Sequence, residues 1–362
     1  MKLAVDARMI EASGIGRHLR QMLVELGAMG VDDCALIGDP KKLERYIRPS
    51  WNIIPYSEGI YSPAQHLNYP LKNRAAKVAY FPHIHVPLFS SVGSKTVVTI
   101  NDLFHLSPAS TLSWPERAYM WLHYNRAVGL ADLILPISEF TWSEVVRHFP
   151  GASGKSHEII YPCLEVLEDE GSTMSEPMRR ILEITEGQHR ILFVGNVKPH
   201  KNLKRLVQAF DMTELNGCAL IIVGKREGFL NGMSVSEQRL LESNRVIFTG
   251  LVSDQELGAW YRSCALLVLP SLYEGFGYPP LESLSQGTPA IVSDLPVTRE
   301  ACVDAVSYFD PLSVSSIAKC IRQAIDDEGY RSRTLARAAD ILKRYRPENT
   351  ARRQALAIAS LI

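Results

Sequence analysis

Short runs of apolar residues alternate with longer segments whose apolar positions recur at helical spacing, and the alternation continues along all 362 residues. Leu3-Ala4-Val5 opens the series and leads through Gly14-Ile15-Gly16 into a helical pattern from about Arg17 to Leu26. Thr96 to Ile100 is β-branched and reads as a buried strand. Ala131 to Pro136 reads the same way and runs into a helix opened by Ser138-Glu139-Phe140. Strand followed by helix, repeated, predicts a parallel sheet covered by helices.

The rhythm restarts after residues 164–176, whose five acidic side chains, with Gly and Ser, suit an exposed linker. Strands are then expected over Arg190 to Gly195, Ala219 to Gly224, Val246 to Gly250, Ala265 to Pro270 and Pro289 to Val292. Several end in Gly or Pro, which puts turn residues at the carboxyl ends of strands, the edge where open parallel sheets bind ligands. The simplest architecture is α/β, with two doubly wound domains facing a deep cleft. We set the first at residues 1–168 and the second at 169–346. Pro347 interrupts the C-terminal helical pattern, and a last helix at about 347–362 is expected to cross back to the first domain.

Composition narrows the function. Lys+Arg and Asp+Glu are 39 each, a balance that argues against a general nucleic-acid binder but leaves room for a local phosphate pocket. Six cysteines (Cys34, Cys163, Cys218, Cys264, Cys302 and Cys320) show no C-x-x-C spacing. They read as buried free thiols in a reducing compartment. Met1 to Val5 is followed at once by Asp6 and Arg8, too short an apolar run for a signal peptide. No apolar stretch is long enough to span a membrane. The reading is a cytoplasmic protein.

The segment Ser271 to Ser283 carries the most specific chemistry. It follows a very apolar strand and precedes a helix. Gly275 and Gly277 let a ligand approach the backbone, Pro279 and Pro280 suit a helix's first positions, and the helix start offers an anion site. Glu274 and Glu282 reach this turn from different directions, and each carboxylate can accept hydrogen bonds from vicinal hydroxyls. Taken singly, either glutamate reads first as a solvated turn residue; the compound pattern is what points to a ligand. Lys201, in the loop after the strand ending at Gly195, is a cation able to neutralise a diphosphate leaving group. Its alternative is a plain surface lysine.

Embedded in Tyr273-Glu274-Gly275-Phe276-Gly277-Tyr278-Pro279-Pro280-Leu281-Glu282, the two glutamates resemble the signature of retaining glycosyltransferases of family 4. Gly14-Ile15-Gly16-Arg17, Ala131 to Glu139, Val194 to Leu203 and Val246 to Val252 agree with that family in order and spacing. The resemblance implies the GT-B architecture, two Rossmann-like domains with the nucleotide sugar held mainly by the second. It implies that Glu274 contacts hydroxyls of the transferred sugar and that Glu282 binds the ribose. Phe276, Gly277, Tyr278 and the Pro280-Leu281 region would meet sugar and diphosphate. Leu251 and Val252 would meet the base, and Gly14 and Gly16 would form a loop closing over the diphosphate. Asn196 and Lys201 complete the expected donor contacts. Glu274, Lys201 and Asp102 form the expected catalytic set.

The chain departs from the family at two positions. An arginine usually stands at Asn196 or Val197, so Lys198, Lys225 or Arg226 would have to supply the second cation. A histidine usually stands at Asn101, where an amide cannot titrate near neutrality; Asp102 and His105 are the alternatives, Asp102 also reading as a turn cap.

No metal and no cofactor are expected. His83 and His85 share a strand face, but without thiolates or an acidic triplet they read as a polar turn or acceptor-side wall. The helix from Ser113 carries Trp114, Tyr119, Trp121 and Tyr124. It reads first as packing under the sheet, and second, through Trp114, Trp121, Tyr124 and Arg117, as a peripheral membrane contact.

The expected reaction moves a hexose, mannose being the first candidate, from a GDP- or UDP-linked sugar to a saccharide or lipid-linked saccharide. That places the protein in surface polysaccharide or lipopolysaccharide synthesis. The competing reading is a non-catalytic nucleotide-sugar binding protein on the same fold.

Overall fold

The computed structural model describes residues 1–69, 76–88, 95–164, 174–196, 198–224 and 245–362. Most of the acidic segment 164–176, together with Val197, Lys225 and Arg226, lies outside them. The chain divides into two compact units, one made of Met1–Cys163 with Arg344–Ile362, the other of Leu164–Lys343.

The first unit is built on a six-stranded sheet. Its strands are β1 (Leu3–Asp6), β2 (Cys34–Gly38), β3 (Asn52–Pro55), β4 (Val78–Phe81), β5 (Lys95–Ile100) and β6 (Leu133–Pro136), in the order β3-β2-β1-β4-β5-β6. Every pair is parallel. Because side chains alternate along a strand, each strand feeds two cores. Ala4, Ala79, Phe81, Val98 and Ile100 pack on one face, and Leu3, Val5, Val78, Tyr80 and Val97 on the other. Burial on both faces explains the nearly continuous apolar runs in the sequence.

The second of those cores also holds Ala355, Ala357 and Ile358 of the last helix, Ala351–Ala359, beside Leu19, Met22, Leu23 and Leu26. The polar exception is Gln354, fully buried. Its Nε2 donates to Tyr80 Oη at 2.7 Å and to Thr99 Oγ1 at 3.2 Å. After the break at Pro347–Asn349, the chain's last turns thus serve the first unit's core.

The second unit repeats the plan. β7 (His189–Val194), β8 (Cys218–Val223), β9 (Val246–Gly250), β10 (Leu266–Leu269), β11 (Ala290–Ser293) and β12 (Ser307–Phe309) form a parallel sheet in the order β12-β11-β10-β7-β8-β9. In both sheets the winding direction reverses between the first strand and the fourth. β1 lies beside β4, and β7 beside β10. The loops leaving the carboxyl ends of two such strands diverge and open a crevice, the general ligand position in these sheets.

Two expectations need correction. Gly14-Ile15-Gly16 is not a loop, because the helix Ser13–Ala28 has already begun. Gly16 sits so close to the preceding turn that a Cβ there would lie 2.5 Å from the Ile10 carbonyl oxygen. The glycine serves tight packing of the helix start. The helix Trp114–Leu130 buries Met120, His123, Tyr124, Ala127 and Val128, but Trp114 is 81 % and Trp121 46 % exposed. Packing under the sheet therefore holds for Tyr124 and fails for the two tryptophans, which lie off the buried stripe.

Candidate functional site

In the second unit the crevice is formed by the loops after β7 and β10, and these carry Lys201 and Glu274. The β7 loop closes with a short 3-10 turn, Pro199–Lys201, and ends on Asn202 in the left-handed region (φ 57°). Asparagine tolerates that conformation, and its amide does further work here. Nδ2 donates to the carbonyl of Pro270 at 2.9 Å and of Pro311 at 2.7 Å. A backbone bond from Leu272 N to His200 O, 2.7 Å, joins the same two loops. Lys201 and Glu274 are thus held on one braced platform.

The result is an ion pair. Lys201 Nζ lies 2.7 Å from Glu274 Oε1, with the lysine side chain 19 % and the glutamate 9 % exposed. Ser271, fully buried, donates its hydroxyl to the same oxygen at 2.6 Å. Glu274 Oε2 has no hydrogen-bond partner among the described residues, so the carboxylate has one anchored and one unengaged oxygen. His200 beside it is held neutral, its pKa pushed down to about 4 by burial and by the Lys201 charge.

Past Glu274, Gly277 takes φ 90°, which a side chain would resist, and the chain turns into the helix Tyr278–Ser285. Pro279 and Pro280 have no N–H, so main-chain donation from this first turn falls to Tyr278 and Leu281. Phe276 is buried, while Tyr278 is half-buried. Glu282, one turn on, is buried and accepts a 2.7 Å hydrogen bond at Oε2 from the hydroxyl of buried Tyr261. Thr288 Oγ1 in turn donates to the Tyr261 carbonyl at 2.7 Å. After β9, Leu251 is exposed and Val252 half-buried; after β7, Asn196 is exposed.

The first unit holds Asp102, Asn101, His105, Gly14 and Gly16. Asp102 Oδ1 accepts from Phe104 N at 2.8 Å and so caps the following 3-10 turn. Asn101 Nδ2 donates to the Pro82 carbonyl at 2.9 Å, and His105 Nδ1 lies 3.3 Å from Tyr124 Oη.

The crevice between β1 and β4 in this unit contains a network that sequence reasoning missed. Asp6, the last residue of β1, is fully buried and is gripped by Arg8, whose shortest bonds run from Nε to Oδ1 at 2.9 Å and from NH2 to Oδ2 at 2.7 Å. Tyr69 Oη donates to Oδ2 at 3.1 Å. Burial alone would raise the Asp6 pKa, but Arg8 and His83 together hold it far below the usual carboxylate range.

His83 and His85 lie beyond the end of β4 at Phe81, in a bend rather than on a strand face, and both are buried; the His85 ring lies 4.9 Å from that of buried His123. Four ring nitrogens, His83 Nε2, His85 Nδ1 and both of His123, lack a hydrogen bond among the described residues. Burial and neighbouring histidines push the pKa of His85 down to about 2 and that of His123 to about 4. Among the described residues no group of three or more His, Cys, Asp or Glu is arranged to hold a metal ion.

Residues 174–340 match the family "Glycosyl transferases group 1". The chain is 27 % identical over 234 residues to the O-antigen chain mannosyltransferase B of Escherichia coli, covering 64 % of this chain and 61 % of that protein. It is 30 % identical over 273 residues to a serotype-specific mannosyltransferase WbdA of Escherichia coli, covering 71 % of this chain and 32 % of that protein. The chain thus spans about three-fifths of one curated relative and about a third of the other.

Among solved structures, sucrose-phosphate synthase from Thermosynechococcus elongatus superposes with TM-score 0.75 at 17 % identity, over 100 % of this chain and 99 % of that one. Anabaena HepE in complex with UDP and glucose superposes with TM-score 0.73 at 17 % identity, over 100 % of both chains. The fold is GT-B, two Rossmann-like α/β units.

Proposed function

We propose that the protein is a retaining glycosyltransferase that moves a hexose from a nucleotide diphosphate sugar to a saccharide or lipid-linked saccharide acceptor. Mannose from GDP-mannose, for a surface polysaccharide such as O-antigen, is our first candidate; a UDP-linked donor is the second. The observation that carries the reading is the Lys201–Glu274 pair at the reversal of the second sheet, with one glutamate oxygen unengaged. The match to the glycosyltransferase family over the same unit and the O-antigen mannosyltransferases among its relatives support it.

In this reading the bond between the sugar's anomeric carbon and the diphosphate oxygen breaks, and the nucleoside diphosphate leaves with the electron pair. The acceptor hydroxyl oxygen bonds to the same carbon on the same face, and its proton passes to the departing diphosphate. Negative charge grows on that leaving group. A preorganised cation meeting it lowers the barrier, and we assign this to Lys201. We assign Glu274 Oε2 to a hydroxyl of the transferred sugar, Glu282 to the ribose, and the backbone near Leu251 and Val252 to the base. The usual second cation is absent at Asn196, and of the three candidate replacements Lys198 is the one among the described residues.

We place the reaction in the cytoplasm, consistent with six free, buried cysteines. No helix among the described residues is long and apolar enough to cross a membrane. We assign any peripheral contact with the inner membrane face to the exposed Trp114 and Trp121.

The test is release of GDP or UDP from a panel of nucleotide sugars, with and without saccharide acceptors, by wild-type protein and Glu274→Ala. Wild-type turnover with one donor class and loss in the variant is expected, and the activity should persist in EDTA. Near-normal turnover by Glu274→Ala overturns the assignment.

A further inference from the structure

The anchored oxygen of Glu274 has two partners with different prospects during a reaction. Lys201 is a long side chain, 19 % exposed, and the transfer reading gives it a second duty on the leaving diphosphate. An ammonium drawn toward that dianion loosens its hold on the carboxylate. Ser271 has no such alternative. It is fully buried directly after β10, and the preceding Pro270 carbonyl is itself fixed by Asn202. Its side chain has one torsion before the hydroxyl, and its 2.6 Å contact is in the range of a hydrogen bond to a charged acceptor.

A largely buried carboxylate that loses its last partner rotates toward a new one. That rotation would spoil Oε2 as an acceptor for a sugar hydroxyl.

We propose that Ser271 is a positioning residue: its buried hydroxyl keeps Glu274 Oε1 anchored, and Oε2 presented, while Lys201 follows the departing diphosphate. The inference rests on the transfer reading above and assigns Ser271 a role within it. Ser271 touches neither substrate in this scheme; it acts through Glu274.

The test is steady-state kinetics of Ser271→Ala with whichever nucleotide sugar the wild-type protein turns over. Loss of one hydrogen bond to a charged group corresponds to a fall in kcat of about 10- to 100-fold, with the donor KM little changed. In a Glu274→Gln background the same substitution should add no further loss, because its effect runs through the charged carboxylate. A purely structural role would lower the thermal midpoint and carry the same loss of kcat into the Glu274→Gln background. Ser271→Cys, close in volume and only a weak donor, carries the same expectation should Ser271→Ala fold poorly.

Wild-type-like kcat in Ser271→Ala overturns the proposal, as does an undiminished loss in the Glu274→Gln background. If Glu274→Gln itself leaves kcat intact, the transfer reading has failed. If Glu274→Gln is impaired and Ser271→Ala is not, the positioning role alone has failed.

Discussion

Lys201 Nζ stands 2.7 Å from Glu274 Oε1, so the two side chains assigned to leaving group and sugar touch each other before any substrate is present. The pair sets a cation against a mostly buried carboxylate and holds the lysine on the crevice. Lys201→Ala should lower kcat about 100- to 1,000-fold, the scale of losing one preorganised charge-stabilising group. The Lys201→Ala, Glu274→Gln double variant should lose clearly less than the sum of the singles, since each single leaves the other group mispaired. Strict additivity in initial rates would show that the contact has no part in turnover.

Tyr261 and Glu282 form the second coupled pair. Tyr261→Phe preserves the buried ring and removes only the hydroxyl bonded to Glu282 Oε2. With Glu282 on the ribose, the donor KM should rise about 10-fold, as for a lost hydrogen bond to a charged group, while kcat holds. Glu282→Gln should move the same parameter in the same direction. Donor titrations by initial rate or calorimetry check both, and a change confined to kcat would detach Glu282 from binding.

What was legible in the sequence follows from how local each cause is. Apolar runs marked β7 to β11, four of them closed by Gly or Pro, because a strand buried on both faces must be apolar throughout. Glu274 and Glu282 stood out as a compound pattern, since singly each reads as a solvated turn residue and only together with the glycines and paired prolines do they resemble a glycosyltransferase signature. Ser271, Asn202 and Tyr261 did not stand out. A serine after a strand is ordinary until its hydroxyl is found on Glu274, and Asn202 matters only because Pro270 and Pro311 bring their carbonyls to it. Asp6 and Arg8 read only as the polar residues that cut short the first apolar run, yet Tyr69 bonds to one and Gln65 to the other. At Gly14 to Gly16 local reasoning misled, since low helix propensity was outweighed by the room a glycine leaves beside Ile10.

The last helix offers a test of the first unit's core. Ile358 is fully buried and lies in one cluster with Leu19, Leu23 and Leu26. Ile358→Ala should destabilise by about 2–5 kcal/mol, because transfer free energy and a residual cavity add. Urea denaturation followed by circular dichroism measures it. A loss below about 0.5 kcal/mol, within the range of surface substitutions, would mean the helix is only loosely seated.

The buried histidines give stability a pH dependence whose sign is fixed. In the unfolded chain each titrates near 6.5, whereas burial pulls His18 and His123 down to about 4 and His85 to about 2. As pH falls below 6.5 the unfolded chain therefore takes up protons that the folded chain refuses, and stability falls with it. The loss continues to about pH 4 for His18 and His123 and further for His85. Asp6 acts in a separate, more acidic window, because its folded pKa lies below its unfolded value of 3.8. Its stabilisation is kept above that value and lost only beneath it. Thermal midpoints should thus decline between pH 7 and pH 5, before any carboxylate with an ordinary pKa has titrated appreciably. His123→Phe should flatten that decline whatever it does to the midpoint at pH 7, because it removes one proton acceptor from the unfolded chain. An unchanged slope in this variant would show that His123 is protonated equally in both states, and that the ring is wetter than its burial beside His66 and His85 implies.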